Sequence, residues 1–89
     1  MAIGNLSITD ASGASPSIAT DNSRETVFLR SATGDSDVFV NLNAAATGGT
    51  GFFFAAGDIL ILKGRDAKAD IYLDCDTSGT ATVSYLTTH

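Results

Sequence analysis

The sequence predicts an all-β protein, a small antiparallel β-sandwich or jelly roll with an extended N-terminal arm. Short runs rich in Val, Ile, Phe and Tyr alternate between apolar and polar residues, turn-forming residues separate these runs at close intervals, and no segment shows the period of a helix. The 89 residues allow one domain. We expect the arm to span residues 1–23 and the sandwich residues 24–89.

The N-terminal arm is rich in small and polar residues and is expected to bury little surface of its own. Short strands are expected within it at 6–9 and 17–19. Ile3, Leu6, Ile8 and Ile18 are its candidate anchors, which would hold it against a partner or an adjacent copy. The alternative interpretation is a disordered tail.

The sandwich strands are short and are bounded by residues that favour turns. They are predicted at 25–30, 37–43, two within 52–64, 69–75 and 81–86. The turns and loops between them are predicted at 31–36, 44–51, 56–58, 64–68 and 76–80. The segment 52–64 is the densest apolar part of the chain, and Gly57 and Gly64 make it too short for a helix.

The alternation assigns one face of each strand to the core. The predicted core residues are Val27, Leu29, Val38, Val40, Leu42, Phe52, Phe54, Leu60, Leu62, Ile71, Leu73, Cys75, Val83 and Tyr85. This core is thin for a free-standing domain, and the single cysteine leaves no intramolecular disulfide to reinforce it. Self-association or docking on a larger surface is therefore expected, with a homotrimer as the expected stoichiometry.

Strict alternation places Phe39, Phe53, Ile59 and Ile61 on the faces that point away from the core. Large apolar residues on both faces of a strand indicate that both faces are covered. Because these residues recur on separate strands, we favour a cover supplied by another chain and assign them to an oligomer or capsid interface. The alternative is a strongly curled sheet that loops and the arm partly shield.

The charge balance excludes two classes of partner. Ten acidic residues against five basic ones give a net charge of −5, whereas nucleic acids and anionic membranes select clustered Lys and Arg. The first residues have neither the basic nor the apolar region of a secretory signal. Together with the lone cysteine, this predicts synthesis in a reducing cytoplasm.

No enzymatic activity and no cofactor are expected. His89 is the last residue and is expected to fray, and Cys75 occupies an inward position where a thiol is normally inert. The segment 74–79 echoes the opening of a calcium loop, which makes Asp74 and Asp76 weak candidate ligands on the outer face of their strand. The alternative is a strand end followed by an ordinary turn, and we predict no metal site.

Five features follow one another between residues 25 and 86: Val38-Phe39-Val40, the Ala/Thr/Gly-rich loop 44–51, the block 51–62 with its Ala56-Gly57-Asp58 corner, Ile71-Tyr72, and the closing segment 79–86. In this series the chain resembles the small β-sandwich proteins and domains of tailed-bacteriophage virions. The arm lies outside this resemblance, and the pattern includes no catalytic residue.

The resemblance implies a structural protein of the virion. Its first implication is a capsid decoration, or cement, protein that binds the major capsid protein on the outer head surface and stabilises contacts between capsomers. Its second implication is a tail or fibre module, which in that case could bind a glycan. Hundreds of copies per virion would indicate the head, and a few copies would indicate the tail.

Overall fold

A computed structural model describes residues 2–9, 12–49, 51–76 and 79–89. Within these residues the chain forms two packed antiparallel sheets, which confirms the predicted small all-β sandwich. The strands are β1 (Ala2–Thr9), β2 (Thr26–Ser31), β3 (Val38–Leu42), β4 (Phe52–Phe54), β5 (Ile59–Lys63), β6 (Ile71–Cys75) and β7 (Thr80–Thr88). A 3-10 turn at Ser12–Ala14 and a single helical turn, α1 (Arg65–Lys68), lie between strands.

The two sheets differ in size and in the order of their strands. The four-stranded sheet has the order β1-β7-β2-β5, and the three-stranded sheet has the order β4-β3-β6. The corner expected at 56–58 joins β4 to β5: the Asp58 amide donates to the Ala55 carbonyl over 3.0 Å, and Gly57 has a φ of 88°. A positive φ of this size suits glycine, because a side chain there would be strained. Of the turn predicted at 76–80, residues 77 and 78 lie outside the described residues.

The core lies between the sheets and follows most of the predicted alternation. The predicted core residues with less than a tenth of their surface exposed are Val27, Leu29, Val38, Phe54, Ile71, Leu73, Cys75 and Val83. Five further predicted residues pack against this core and are half-buried: Val40, Leu42, Leu60, Leu62 and Tyr85. Phe52 was wrongly assigned, because it is 65% exposed. It shares a face with Phe54, but it begins a three-residue strand at the edge of its sheet, where the two sheets are not in close contact.

The N-terminal segment belongs to the sandwich for most of its described length, which corrects the arm expected at 1–23. All eight residues of β1 pair with β7, and Ile8 is 2% exposed within the core. Further along, the amides of Ser17 and Ile18 donate to the Ile71 carbonyl over 2.8 and 3.1 Å. These backbone hydrogen bonds offset the ordering entropy that the composition of the segment alone could not. The described residues before residue 24 therefore belong to the same sandwich as those that follow it.

Arg24 fastens this segment to the rest of the fold. Its side chain is 4% exposed, and its Nε, Nη1 and Nη2 atoms donate to the carbonyls of Ala67, Ala19 and Ala69, respectively. The Lys68 ammonium donates in turn to the Arg24 carbonyl over 2.7 Å. The guanidinium therefore links the segment before β2, the helical turn α1 and the entry to β6.

Phe39 points away from the core as predicted, but the chain itself covers it. The ring is 6% exposed and lies 5.4 Å, between centroids, from the ring of Phe53. On the same face Asp74 pairs directly with Phe39, and the Gly48 amide donates to the Asp74 carboxylate over 3.1 Å. The loop after β3 thus packs on this face, and the assignment of Phe39 to an interface was wrong. For this residue the alternative interpretation, in which loops of the same chain shield the outer face, agrees with the structure.

Candidate interaction surface

The outer face of the four-stranded sheet carries a row of apolar side chains that crosses all four strands. Ile3 of β1 pairs with Leu86 of β7, Leu86 pairs with Phe28 of β2, and Phe28 pairs with Ile61 of β5. Directly opposed residues of antiparallel strands project to the same face, so these four side chains form one continuous line.

A second, mixed row lies beside the first. It runs from Asn5 through Ser84 and Arg30 to Ile59, and the Ser84 hydroxyl is hydrogen-bonded to the Asn5 amide oxygen over 2.8 Å. Ile59 adds an exposed apolar side chain next to Ile61. The five apolar residues of the two rows form a surface that we call the apolar face: Ile3, Phe28, Ile59, Ile61 and Leu86.

The apolar face is open to solvent in the single chain. Ile3, Ile59 and Ile61 are 75%, 60% and 48% exposed, respectively, and Phe28 and Leu86 are half-buried. A shallow depression of about 370 Å³ lies between Ile3 and Ile59. An exposed apolar patch that is continuous across a sheet is typical of an interaction surface and differs from apolar residues scattered singly.

The structure places the predicted interface residues in three different environments. Ile3, Ile59 and Ile61 lie together on the apolar face. Phe53 is 51% exposed on the outer side of the three-stranded sheet. Leu6 and Ile8 point inward, half-buried and buried respectively, so their assignment to an interface was wrong.

Two residues of the apolar face were missed by the sequence-based interface assignment. Phe28 is flanked by the buried Val27 and Leu29, and Leu86 follows the core-facing Tyr85. The alternation places both side chains on the outer face, but it does not show which strands are neighbours. The cross-strand register sets Phe28 and Leu86 between Ile3 and Ile61, and this register could not be predicted from the sequence.

A second apolar opening lies where β4 and β5 form the edge of the sandwich. A groove of about 350 Å³ separates the inner faces of these strands, and the carboxylate-bearing Asp66 lines its rim. This inter-sheet groove is lined by apolar residues from both layers: Val40, Leu42, Phe52, Leu60 and Leu62. The layers are therefore not closed along this edge.

The candidate calcium ligand Asp74 has a structural role. It is 4% exposed, and its two carboxylate oxygens accept hydrogen bonds from the Gly48 amide and from the Cys75 amide, over 3.1 and 2.8 Å. Thr77 and Ser78 of the proposed calcium loop lie outside the described residues. Within the described ranges no three His, Cys, Asp or Glu side chains are grouped as metal ligands. Asp74 instead holds the loop after β3 against its sheet.

His89 was expected to fray, but its side chain is paired with Asp21. Their Nε2 and Oδ2 atoms are 2.9 Å apart, and the amide and hydroxyl of Ser23 also donate to the Asp21 carboxylate. The hydrogen bond to His89, with those from Ser23, lowers the pKa of Asp21 below its ordinary value. Both side chains are partly exposed. The pair joins the segment before β2 to the residue that follows β7.

In the part of the chain that the structure describes, no helix has the length and apolar character needed to cross a membrane. A comparison with protein-family models and with curated proteins finds no match to this chain.

Proposed function

We propose that this chain is a bacteriophage capsid decoration protein that binds the major capsid protein on the outer head surface and stabilises contacts between capsomers. The observation that supports this role is the apolar face, which is continuous across four strands and which no other described residue of the chain covers completely. The resemblance to virion β-sandwich proteins supplies the class of partner. The acidic net charge of −5 favours a protein surface over nucleic acid or an anionic membrane.

Attachment follows from burial of the apolar face against the shell. Full burial of an Ile or Phe side chain contributes about 1.5–3 kcal/mol. Ile3, Ile59 and Ile61 are each about half to three-quarters exposed, so each contributes about 1–2 kcal/mol on docking. Because only the assembled shell presents the complete site, binding shifts the equilibrium toward the assembled state by mass action. No chemical step is involved.

Self-association of the bound copies is part of the proposal, and the trimer expected from the sequence is its starting hypothesis. A protein of 9.1 kDa with a thin core gains stability from each neighbour that covers its surface. Copies held side by side on the shell would also bind cooperatively, because each would dock to the capsid and to its neighbour.

The test compares two charge insertions on opposite sides of the sandwich. Ile3→Lys places a cation on the apolar face, and Phe53→Lys places one on the outer side of the other sheet. We expect wild-type protein and Phe53→Lys to co-sediment with undecorated heads of the same phage, and Ile3→Lys to bind at least tenfold more weakly. Equal binding of both variants would refute attachment through the apolar face.

Copy number separates the head from the tail. Quantitative mass spectrometry of purified virions is expected to give hundreds of copies of this chain, in proportion to the major capsid protein. A few copies per virion would refute the decoration role and support the tail or fibre module instead.

A further inference from the structure

Strand β5 has an open edge and apolar side chains on both faces. It is the terminal strand of the order β1-β7-β2-β5, so one side of its backbone has no strand partner among the described residues. Ile59 and Ile61 belong to the apolar face, and Leu60 and Leu62 line the inter-sheet groove. Natural sheets usually protect such an edge with charges, prolines or bulges, because it is a template for pairing with another chain.

The hydrogen-bond pattern shows which backbone groups are open. The Gly64 amide donates to the Glu25 carbonyl over 3.2 Å, and the Ser31 amide donates to the Asp58 carbonyl over 3.4 Å. The backbone N–H and C=O groups of the even-numbered residues in this segment therefore point toward β2. Because these groups alternate along an antiparallel strand, those of the odd-numbered residues point to the open side. The N–H and C=O groups of Ile59, Ile61 and Lys63 face the open side.

The charges at the two ends of β5 favour an antiparallel partner of the same sequence. Asp58 precedes the strand, and Lys63 and Arg65 lie at and just beyond its other end. In an antiparallel pair of β5 strands, the acidic end of each copy lies beside the basic end of the other. A parallel pair would instead place like charges side by side.

We propose that a second copy of this chain pairs with β5 through its own β5, about a two-fold axis that passes next to Ile61. In this register Ile61 opposes Ile61 of the partner copy, and Ile59 opposes Lys63 of the partner copy. Each of the three outward-facing residues exchanges a pair of hydrogen bonds. The two four-stranded sheets become one sheet of eight strands, and the apolar rows of both copies become continuous.

The same pairing covers the inner side of the strand. Leu60 opposes Leu62 of the partner copy at the mouth of the inter-sheet groove, next to the exposed Phe52. The other free edge of the sheet, β1, has no charged residue and offers no matching charge pattern to β5. A two-fold contact of this kind is isologous and ends at two copies. The dimer is proposed for the free protein in solution, and the trimer stays the proposal for copies bound to the shell.

Disulfide trapping tests the register. In a two-fold pair the Cα atoms of the two Ile61 residues lie about 5.5 Å apart, within the range of a disulfide. In a Cys75→Ala background, we expect Ile61→Cys to give a covalent dimer upon mild oxidation, and Ile3→Cys on the opposite edge to give none. A mixed product between Ile61→Cys and Ile3→Cys chains would overturn the proposal, since it would show β5 pairing with β1 of the next copy in a ring.

Light scattering at micromolar concentration tests the edge itself with a matched pair of variants. Ile61→Pro removes an outward-facing N–H, whereas Ile61→Ala removes side-chain atoms and keeps it. We expect the wild type and Ile61→Ala to have a mass in solution of twice 9.1 kDa, and Ile61→Pro to be a folded monomer. A wild-type monomer or trimer, or a folded Ile61→Pro dimer, would overturn the proposal. If Ile61→Pro does not fold, the disulfide result decides.

Dimerisation through β5 is tested independently of capsid binding. Ile3→Lys lies on the far strand of the sheet and is expected to dimerise normally while it binds heads at least tenfold more weakly. Failure of the dimer therefore leaves the decoration role intact, and failure of the decoration role leaves the dimer intact.

Discussion

Replacement of Arg24 by Met is expected to be among the most damaging single changes in this protein. The guanidinium is buried and donates to three backbone carbonyls from separate segments. Met has a similar length and fills much of the same volume, but it donates no hydrogen bond. The substitution therefore leaves the carbonyls of Ala19, Ala67 and Ala69 without their donor.

The size of the effect follows from the number of bonds lost. A hydrogen bond to a charged group contributes about 1.5–3 kcal/mol net, so the three bonds together set an upper limit of roughly 5–9 kcal/mol. Water that reaches the three carbonyls, and the relief from burying a charged group, reduce the expected loss to about 3–5 kcal/mol. A domain of this length has a free energy of unfolding of about 4–13 kcal/mol. We expect Arg24→Met to lower it by about 3–5 kcal/mol, which corresponds to a fall in Tm of roughly 15–30 °C.

Thermal and urea unfolding followed by circular dichroism measures this loss. Arg30→Met is the matched control, because Arg30 is exposed on β2 and its replacement is expected to change stability by no more than about 0.5 kcal/mol. Arg24→Lys is expected to recover only part of the loss, since an ammonium cannot reproduce the planar fork. A loss below about 1 kcal/mol for Arg24→Met would refute the argument.

Four further outcomes are expected. The Ser31 hydroxyl is buried with no hydrogen-bond partner in the described structure, so Ser31→Ala is expected to raise stability by about 1–2 kcal/mol in urea unfolding; a loss would reveal a partner. Cys75→Ala should cost at most about 1–3 kcal/mol, and rapid thiol labelling of native protein would contradict its burial. Asp21 should titrate by NMR below the ordinary 3.8, so its stabilising contribution holds above about pH 4 and is lost as the pH falls through the lowered pKa; a normal midpoint would contradict the His89 contact. Deletion of residues 2–17 should unfold the sandwich, because it removes β1 and the buried Ile8, and a cooperative melt of the truncated chain would show that the sheet is stable without this strand.

The alternation of apolar and polar residues was sufficient to predict the strands whose two faces differ strongly. Val38 in β3 and Ile71 and Leu73 in β6 are buried as expected, because one face of each strand meets the core. The all-β class and the corner near Gly57 follow from the same local signals.

The errors arose where distant parts of the chain decide exposure. Residues 2–9 are mostly small or polar and show no clear strand pattern. Only their pairing with β7, at the other end of the chain, makes them part of the sheet. Phe39 is covered by a loop whose contacts are made by the backbone, such as the 3.0 Å hydrogen bond from the Ala46 amide to the Gly13 carbonyl. No side-chain periodicity records such a contact. The apolar face was found only in part for the same reason, since the cross-strand register is not a local property.

The position of β7 has a consequence for how the chain folds. It is the last strand in the sequence, yet it lies inside the four-stranded sheet between β1 and β2. During synthesis from the N-terminus, β1 and β2 remain without their shared partner until β7 has left the ribosome. Pairings of such long sequence separation are slow to close, so the apolar strands β2 and β5 are exposed to other nascent chains during that interval. The yield of folded protein on expression is therefore expected to depend on how quickly β7 is translated and inserted.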